Sequence, residues 1–133
     1  SVSGMIRDYT AEGYPEDHTI VPHGMSVVLN APAVFRYTAP ANPERHLKAA
    51  EFMGVDVSGA DPMDSGDILA NAIIELIQKI HIPNGLRSLG YNESDSRTLA
   101  KGAMPQHRVI NLSPRPVTEN DLTQIFMDSM TLW

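Results

Sequence analysis

The segment between Asp61 and Gly85 constrains the fold of this chain more than any other. Most of its apolar residues recur at intervals of three or four, which places them on one face of a helix: Leu69, Ile73, Leu76, Ile77 and Ile80. Asp61-Pro62 is a typical helix start, and Pro83 followed by Gly85 ends the pattern. A helix with so pronounced an apolar stripe has to pack against other elements, so a layered helical core is predicted.

Three further segments carry helical signals of their own. Residues 25–35 are apolar enough for a mostly buried helix, which Pro32 is expected to bend. Residues 42–54 begin with Asn42 as an N-cap and proline at the first helical position, and end at a glycine. A shorter helix is predicted over about residues 94–101.

A rigid connector precedes the last predicted helix. The connector is Ser113-Pro114-Arg115-Pro116, and Thr118 with Asp121 after it approximates a capping box. The apolar stripe that follows has helical spacing: Leu122, Ile125, Phe126 and Met130. Because no segment alternates with a period of two, the prediction is an all-α, helical bundle-like domain of four or five helices.

Length, charge and cysteine content exclude several classes of protein. The chain has 133 residues, which suits one domain, and a net charge of −6, which argues against nucleic acid or an anionic membrane as a partner. It has no cysteine, so disulfides and thiolate metal sites are excluded. It also shows no membrane-spanning apolar run, signal peptide, glycine-rich phosphate loop, nucleophile elbow or His-Glu-x-x-His zinc pair.

The candidates for chemistry are the histidines. His23 lies between Pro22 and Gly24, so its ring could reach a cleft as a metal ligand or proton carrier, although a capping or hydrogen-bonded loop histidine has the same pattern. His18 could be a second ligand or an unrelated surface residue. His46 and His107 are expected on exposed surfaces, and His81 is expected at a helix C-terminus.

Two arginines and several apolar residues complete the candidates. Arg108 and Arg115 could bind a carboxylate, since arginine presents a planar fork, but a salt bridge to an acidic side chain is the more ordinary role. The seven methionines are expected to fill the core. Tyr14, Tyr37 and Trp133 are expected to be packing residues.

A set of motifs in order along the chain resembles the iron-containing (group III) alcohol dehydrogenase superfamily, in its hydroxyacid-oxoacid transhydrogenase-like branch. The motif Val21-Pro22-His23-Gly24-Met25 resembles the superfamily as a whole. The others resemble the branch and follow in order: residues 17–24, 31–35, 43–47, 85–91, 99–109 and 112–116. The resemblance covers nearly the whole chain, and the ordered set is far more specific than Pro-His-Gly alone.

The resemblance implies a fold and a metal site. Family members have an N-terminal nucleotide-binding domain and a C-terminal all-α domain with a dehydroquinate synthase-like fold. This chain resembles only the latter part of the helical domain, so residues 1–133 are expected to be a partial C-terminal metal-binding, catalytic domain, and the start at Ser1 reads as the middle of a longer chain. The family holds iron or zinc with one Asp and three His. His23 matches the last of these ligands, the others are expected before Ser1, and His18 is a possible cleft-lining residue.

The resemblance also implies an activity. The intact enzyme is expected to transfer hydride between a hydroxyacid or alcohol and an oxoacid or NAD, with NAD(P) bound mainly by the N-terminal domain. Its partners would be small-molecule substrates, with a possible homo-oligomer, in the cytoplasm, or in the mitochondrial matrix if the source is eukaryotic. The isolated chain is expected neither to turn over alcohols nor to bind iron tightly, since one imidazole cannot hold the metal.

A second hypothesis assigns the chain to a different class of protein. It could be a non-catalytic helical module that associates with a partner chain. This hypothesis expects apolar residues near Val28, Leu29 and Phe35 to be left uncovered.

Overall fold

Helices joined by short turns build the domain. The computed structural model describes residues 1–5, 9–17 and 19–133. Its α-helices in chain order are α1 (His23–Val28), α2 (Ala31–Thr38), α3 (Pro43–Phe52), α4 (Ser65–Lys79), α5 (Ser96–Ala103), α6 (His107–Ile110) and α7 (Glu119–Asp128). Five short 3₁₀ turns lie between or before them: Val2–Gly4, Ala39–Ala41, Pro62–Asp64, Leu86–Leu89 and Glu93–Asp95.

The all-α prediction is confirmed. Over the described ranges, β-structure is limited to one isolated bridge between Thr10 and Ile20. None of the helices in those ranges is long and apolar enough to cross a membrane.

Two predicted helix starts form as expected. The side chain of Asn42 accepts a hydrogen bond from the backbone N–H of Arg45 at 3.1 Å, which begins α3. At α7, the Thr118 hydroxyl accepts from the Asp121 N–H at 3.2 Å, and the Asp121 carboxylate accepts from the Thr118 N–H at 2.8 Å. This reciprocal pair of hydrogen bonds is the predicted capping box, with aspartate at the position that glutamate usually occupies.

The predicted bent helix over residues 25–35 is two helices. Helix α1 ends at Val28 and α2 begins at Ala31, with Pro32 in the first turn of α2. A proline in a first helical turn removes an N–H that has no partner within the helix, so the chain breaks before Pro32 rather than bending at it. The break places Leu29, which is fully buried, between the two helices.

Helix α4 packs closely against α2 and α3. A Cβ on Gly66 would lie 3.0 Å from the Cβ of Ala39 and 3.0 Å from the Cα of Arg36, so glycine is what permits this approach. Four buried residues form the core of this layer: Ala50, Leu69, Ile73 and Ile77. Leu76 and Ile80 of the predicted stripe face solvent instead, at 48% and 58% exposure.

The larger core lies between α2, α5 and α7. Its larger buried side chains come from widely separated parts of the chain and include Leu29, Leu86, Leu89, Tyr91, Leu99, Ile125, Phe126 and Met130. Met130 and three half-buried methionines pack in or against this core, as predicted, whereas Met53, Met63 and Met127 are exposed. Tyr37 packs against it too, while Tyr14 and Trp133 are almost half exposed.

Tyr91 ties the first residues of the chain to this core. Its side chain is buried, and its hydroxyl lies 2.7 Å from the carbonyl oxygen of Val2 and 2.8 Å from that of Met5. Val2 is itself buried in the core. The short turn at the start of the chain is therefore an integral part of the domain.

Tyr91→Phe is expected to lower the free energy of unfolding by about 0.5–1.5 kcal/mol, because it removes the hydroxyl that bonds the carbonyl oxygens of Val2 and Met5 and adds no new packing. Chemical denaturation of the two proteins measures the difference. Exposed Tyr14→Phe is the matched control and is expected to change stability by less than about 0.5 kcal/mol. Equal stability of Tyr91→Phe and the unsubstituted protein would contradict this role for the hydroxyl.

A strap closes the other end of the domain. The backbone N–H of Leu86 donates to Ser129 O at 2.9 Å, and that of Arg87 donates to Met130 O at 3.0 Å. The Asn84 side chain accepts from the N–H of Leu132 at 2.7 Å and donates to the carbonyl of Trp133. Residues 129–133 are thus fastened to residues 84–87, and this pairing is referred to below as the C-terminal strap.

Candidate functional site

His23 is the first residue of α1. Pro22 before it has an extended backbone, with φ −52° and ψ 138°, so the chain turns sharply into the helix at the histidine. The imidazole is exposed, and the backbone rather than the ring is held in place. The Ser26 hydroxyl donates to the His23 carbonyl oxygen at 2.8 Å and accepts from the Ser3 hydroxyl at 2.8 Å. The ring is therefore presented from a fixed position and stays available to a ligand.

Beside His23 lies a concave space that we name the α1–α7 groove. It encloses about 450 Å³, and its main lining residues are His23, Val27, Asn30, Val34, Leu122 and Phe126. Its walls are apolar, and its polar groups gather at the end formed by α1. The groove therefore combines apolar surface with a few convergent polar atoms, which is typical of a binding surface.

Asn30 has an unusual environment at this polar end. Its side-chain nitrogen donates to the Ser26 carbonyl at 2.7 Å, while its side-chain oxygen is buried without a hydrogen-bond partner among the described residues. A buried acceptor left without a donor costs about 1–3 kcal/mol. This acceptor is enclosed by the protein, so the surrounding packing has to offset its cost.

The donor chemistry at His23 fits a metal only in part. A neutral imidazole is a common ligand of iron and zinc, and the exposed ring of His23 can serve as one. In the described part of the chain, no three His, Asp or Glu side chains come together in a way that could hold a metal. His23 can therefore supply one ligand of a set that these residues do not complete.

The other histidines have separate places. His18 lies outside the described residues. The His46 ring is half-buried between Thr38 Oγ1 at 2.9 Å and Asn42 O at 2.8 Å, and it packs in a T-shaped contact with the Phe35 ring, so it is more enclosed than predicted. His81 is exposed, beyond the end of α4, with a left-handed φ of 59°. His107 is exposed at the start of α6. None of these last three lines the α1–α7 groove.

Arg115 has neither of the predicted roles. Its guanidinium lies 4.3 Å from the centre of the Tyr37 ring and donates to the Tyr37 carbonyl at 2.8 Å. The Tyr37 hydroxyl donates in return to Pro116 O at 2.6 Å, so the two residues lock the connector against the end of α2. Burial raises the pKa of Tyr37, and nearby Asp121 raises it further. Arg108 is exposed on α6, and its carboxylate-binding role stays a prediction.

The apolar residues predicted to be uncovered are largely enclosed. Leu29 is fully buried, and Val28 and Phe35 are half-buried against the layer formed by α3 and α4. The expectation of the second hypothesis is therefore wrong for these residues, because Leu29 packs in the larger core and the α3–α4 layer partly covers Val28 and Phe35. Val27, one position earlier, is the apolar residue of α1 that faces solvent, at 55% exposure.

The sequence pattern singles out His23 as a candidate but gives no indication of the groove beside it. The groove depends on contact between the region of α1 and α2 and the region of α7, about a hundred residues later in the chain, and no local pattern reports such contact. Asn30 carried a weak signal, since an amide next to a predicted buried helix needs hydrogen-bond partners.

Comparison with known proteins gives consistent matches. A model of the Fe-containing alcohol dehydrogenase family, C-terminal part, matches residues 18–130. The probable mitochondrial hydroxyacid-oxoacid transhydrogenase of Dictyostelium discoideum is 51% identical over 134 residues, which cover 100% of this chain and 24% of that protein. The mitochondrial hydroxyacid-oxoacid transhydrogenase of Rattus norvegicus is 44% identical, over 99% of this chain and 28% of that protein.

Solved structures give the same picture. A 1,3-propanediol oxidoreductase superposes with a TM-score of 0.74 at 33% identity, over 82% of this chain and 28% of that one. An alcohol dehydrogenase from Oenococcus oeni superposes with a TM-score of 0.75 at 27% identity, with the same coverage of both chains. The chain thus spans about a quarter of the length of the curated relatives and solved structures that it matches.

Proposed function

Because this chain belongs to the Fe-containing alcohol dehydrogenase family and matches its C-terminal part, we propose that it is the helical domain of an oxidoreductase that passes hydride between a hydroxyacid and an oxoacid. The observation that carries this proposal is the 51% identity, over the whole chain, to a probable hydroxyacid-oxoacid transhydrogenase. We assign the remaining metal ligands to parts of a longer protein that this chain does not include, and the nucleotide site mainly to its N-terminal domain.

The role of His23 in this proposal is to hold a divalent metal, iron or zinc, as one of several ligands. When bound, the metal supplies Lewis acidity for the alcohol and carbonyl oxygens of the substrates. The exposed ring and the hydroxyl chain from Ser3 through Ser26 to the His23 carbonyl support this role. A fixed backbone at His23 leaves only the side-chain torsions to be ordered when the ring binds a metal.

A bound nicotinamide would supply a hydride carrier between the carbinol carbon of the hydroxyacid and the carbonyl carbon of the oxoacid. The proton that the hydroxyacid hydroxyl would lose balances the proton that the oxoacid oxygen would take up. This chain has no glycine-rich dinucleotide motif, so NAD(P) binding is assigned mainly to the N-terminal domain.

Location and assembly follow from the same proposal. The relatives are named as mitochondrial proteins, and we place this protein in the mitochondrial matrix on that ground. Its proposed partners are small hydroxyacids and oxoacids, with a homo-oligomer as a further possibility.

Transhydrogenase activity can be tested with the longer protein that contains this chain. The protein, loaded with iron or zinc, is mixed with 4-hydroxybutyrate and 2-oxoglutarate in the presence of a trace of nicotinamide cofactor. The expected result is many turnovers of both acids per cofactor molecule, without accumulation of free NADH. Chromatography of the acids measures the turnover. Stoichiometric NADH formation that does not depend on the oxoacid would show a simple dehydrogenase instead.

A further inference from the structure

The outer side of the layer formed by α3 and α4 presents large apolar side chains to solvent. Leu76 and Ile80 lie one helical turn apart at the end of α4 and are 48% and 58% exposed. At the end of α3, Phe52 and Met53 are 80% and 39% exposed. We name this surface the α3–α4 face. Large apolar side chains gathered on one surface mark a place where another molecule binds.

A crevice lies within the α3–α4 face, between the end of α3 and the second half of α4. It encloses about 280 Å³ and is lined by residues 53–55 and by Ala72, Glu75, Leu76 and Lys79. Because both helices line it, their exposed apolar residues belong to one continuous surface. A cavity of roughly 150 Å³ already holds a benzene ring, so the crevice has room for an apolar side chain from another molecule.

Two opposite charges on the crevice lining have no partner. Glu75 and Lys79 are exposed, and neither forms an ion pair among the described residues. A glutamate four residues before a lysine can pair with it within one helix, but here the two side chains stay apart and are available to charges from outside. Their charges cancel, so the crevice lining is neutral although the chain has a net charge of −6.

A second copy of this chain fits the α3–α4 face by its charges and its apolar residues. The face calls for an anion and a cation one helical turn apart beside apolar surface, and the same face of a second copy supplies all three. In a contact with two-fold symmetry, residue i of one molecule meets residue j of the other, and j meets i. Repulsion between the two net charges is screened beyond about 8 Å at physiological ionic strength, and the neutral crevice adds none.

The reaction site leaves this face free. His23 lies in the α1–α7 groove, and no described residue lines both that groove and the crevice. Helix α2 stands between them, since its Ala33 packs in the larger core and its Phe35 packs against the core of the α3–α4 layer. Metal ligands from other parts of a longer protein have to gather at His23, on another side of the domain. In this respect the inference rests on the proposed function.

We propose that the α3–α4 face is the contact between two copies of this chain, related by a two-fold axis perpendicular to α4. The two α4 helices run antiparallel, and Leu76 and Ile80 pack against the second copy. Glu75 pairs with Lys79 of the partner subunit, and the symmetry repeats this pair on the other side of the axis.

Sedimentation equilibrium of the 133-residue chain tests this contact. The chain is expected to form a dimer that dissociates on dilution. Leu76→Glu is expected to weaken the dimer by about 100-fold or more, because the symmetry places two carboxylates in an apolar contact. Met63→Glu is the matched control and is expected to leave the dimer unchanged, since Met63 is 84% exposed and lies outside the crevice. Circular dichroism checks that each variant is folded.

An exchange of the two charges shows whether the contact is two-fold. Glu75→Lys alone and Lys79→Glu alone each place like charges opposite one another, and each is expected to weaken the dimer about tenfold. An equal mixture of the two variants is expected to regain a dimer as strong as that of the unsubstituted chain, because every pair in the mixed dimer joins opposite charges. This result decides the question even if Leu76→Glu fails to fold.

A chain that stays monomeric up to about 1 mM would overturn the proposal. So would a dimer that Leu76→Glu leaves intact, or a mixture of the two charge variants that stays as weak as either alone. Sedimentation requires neither metal nor substrate, so this test is separate from that of the proposed function. A monomeric chain from a protein that has transhydrogenase activity would overturn only the contact, and a dimer from a protein without that activity would overturn only the proposed reaction.

Discussion

His23→Ala in the longer, metal-loaded enzyme is expected to lower kcat/KM by more than about 100-fold, because loss of a ligand should exceed the 10- to 100-fold effect of changing a residue that merely supports one. The metal content after dialysis is expected to fall in parallel, since the remaining ligands hold the ion less tightly. Steady-state kinetics and elemental analysis measure the two effects. The substitution removes an exposed side chain, so the fold is expected to remain, with an unchanged circular dichroism spectrum.

The matched control is His81→Asn. His81 is also exposed, and asparagine tolerates its left-handed φ of 59°. This variant is expected to keep its metal and its kcat/KM. An active, metal-replete His23→Ala enzyme would contradict the proposed role of His23, and an equal loss in both variants would show that any histidine change damages the protein.

Gly85→Ala is expected to destabilise the domain by about 3 kcal/mol or more, which lowers its unfolding midpoint by roughly 10 °C. Gly85 has φ 70° and ψ −177°, a conformation that essentially only glycine adopts. A Cβ there would press on the Met130 carbonyl and lie 2.8 Å from Ser129 O. These are the carbonyls that form the C-terminal strap, so relief of the overlap has to break its hydrogen bonds.

The control variant Gly59→Ala measures the effect of backbone strain without the steric overlap between a Cβ and neighbouring atoms. Gly59 has a similar φ of 73°, but nothing lies within 4 Å of the position of its Cβ. Only the strain of a left-handed alanine is expected there, about 1–2 kcal/mol. Thermal denaturation of both variants provides the comparison. A Gly85→Ala protein as stable as Gly59→Ala would contradict this prediction, because it would mean that the C-terminal strap moves away from the new Cβ with no loss of stability.

The local part of the fold could be read from the sequence. Asn42 and the pair Thr118 and Asp121 begin helices where they were expected to, because caps act within one turn. The shorter helix was predicted over residues 94–101 and lies at Ser96–Ala103, because a 3₁₀ turn at Glu93–Asp95 takes up the first residues. Such turns leave almost no mark in apolar periodicity.

Contacts between residues far apart in the chain could not be predicted from the sequence. The stripe on α4 predicted five core residues, but which side of it faces α2 and α3 depends on packing, and Leu76 and Ile80 turned out to face solvent. Tyr91 reaches carbonyls nearly ninety residues earlier in the chain, and Arg115 stacks on Tyr37 rather than pairing with a carboxylate. The position of His23 between Pro22 and Gly24 singles it out in the sequence, whereas its role as a metal ligand comes from the resemblance and stays a prediction.

The C-terminal strap has a consequence for how the domain is made in the cell. Asn84 pairs with Leu132, 48 residues later in the chain. On the ribosome, residues 84–87 therefore leave the exit tunnel well before their partners have been synthesised. The carbonyls of Ser129 and Met130 cannot be paired until the last turn of α7 has emerged. The domain is thus expected to close only after residues 129–133 have emerged, and until then chaperones can bind the waiting surface around Leu86 and Leu89.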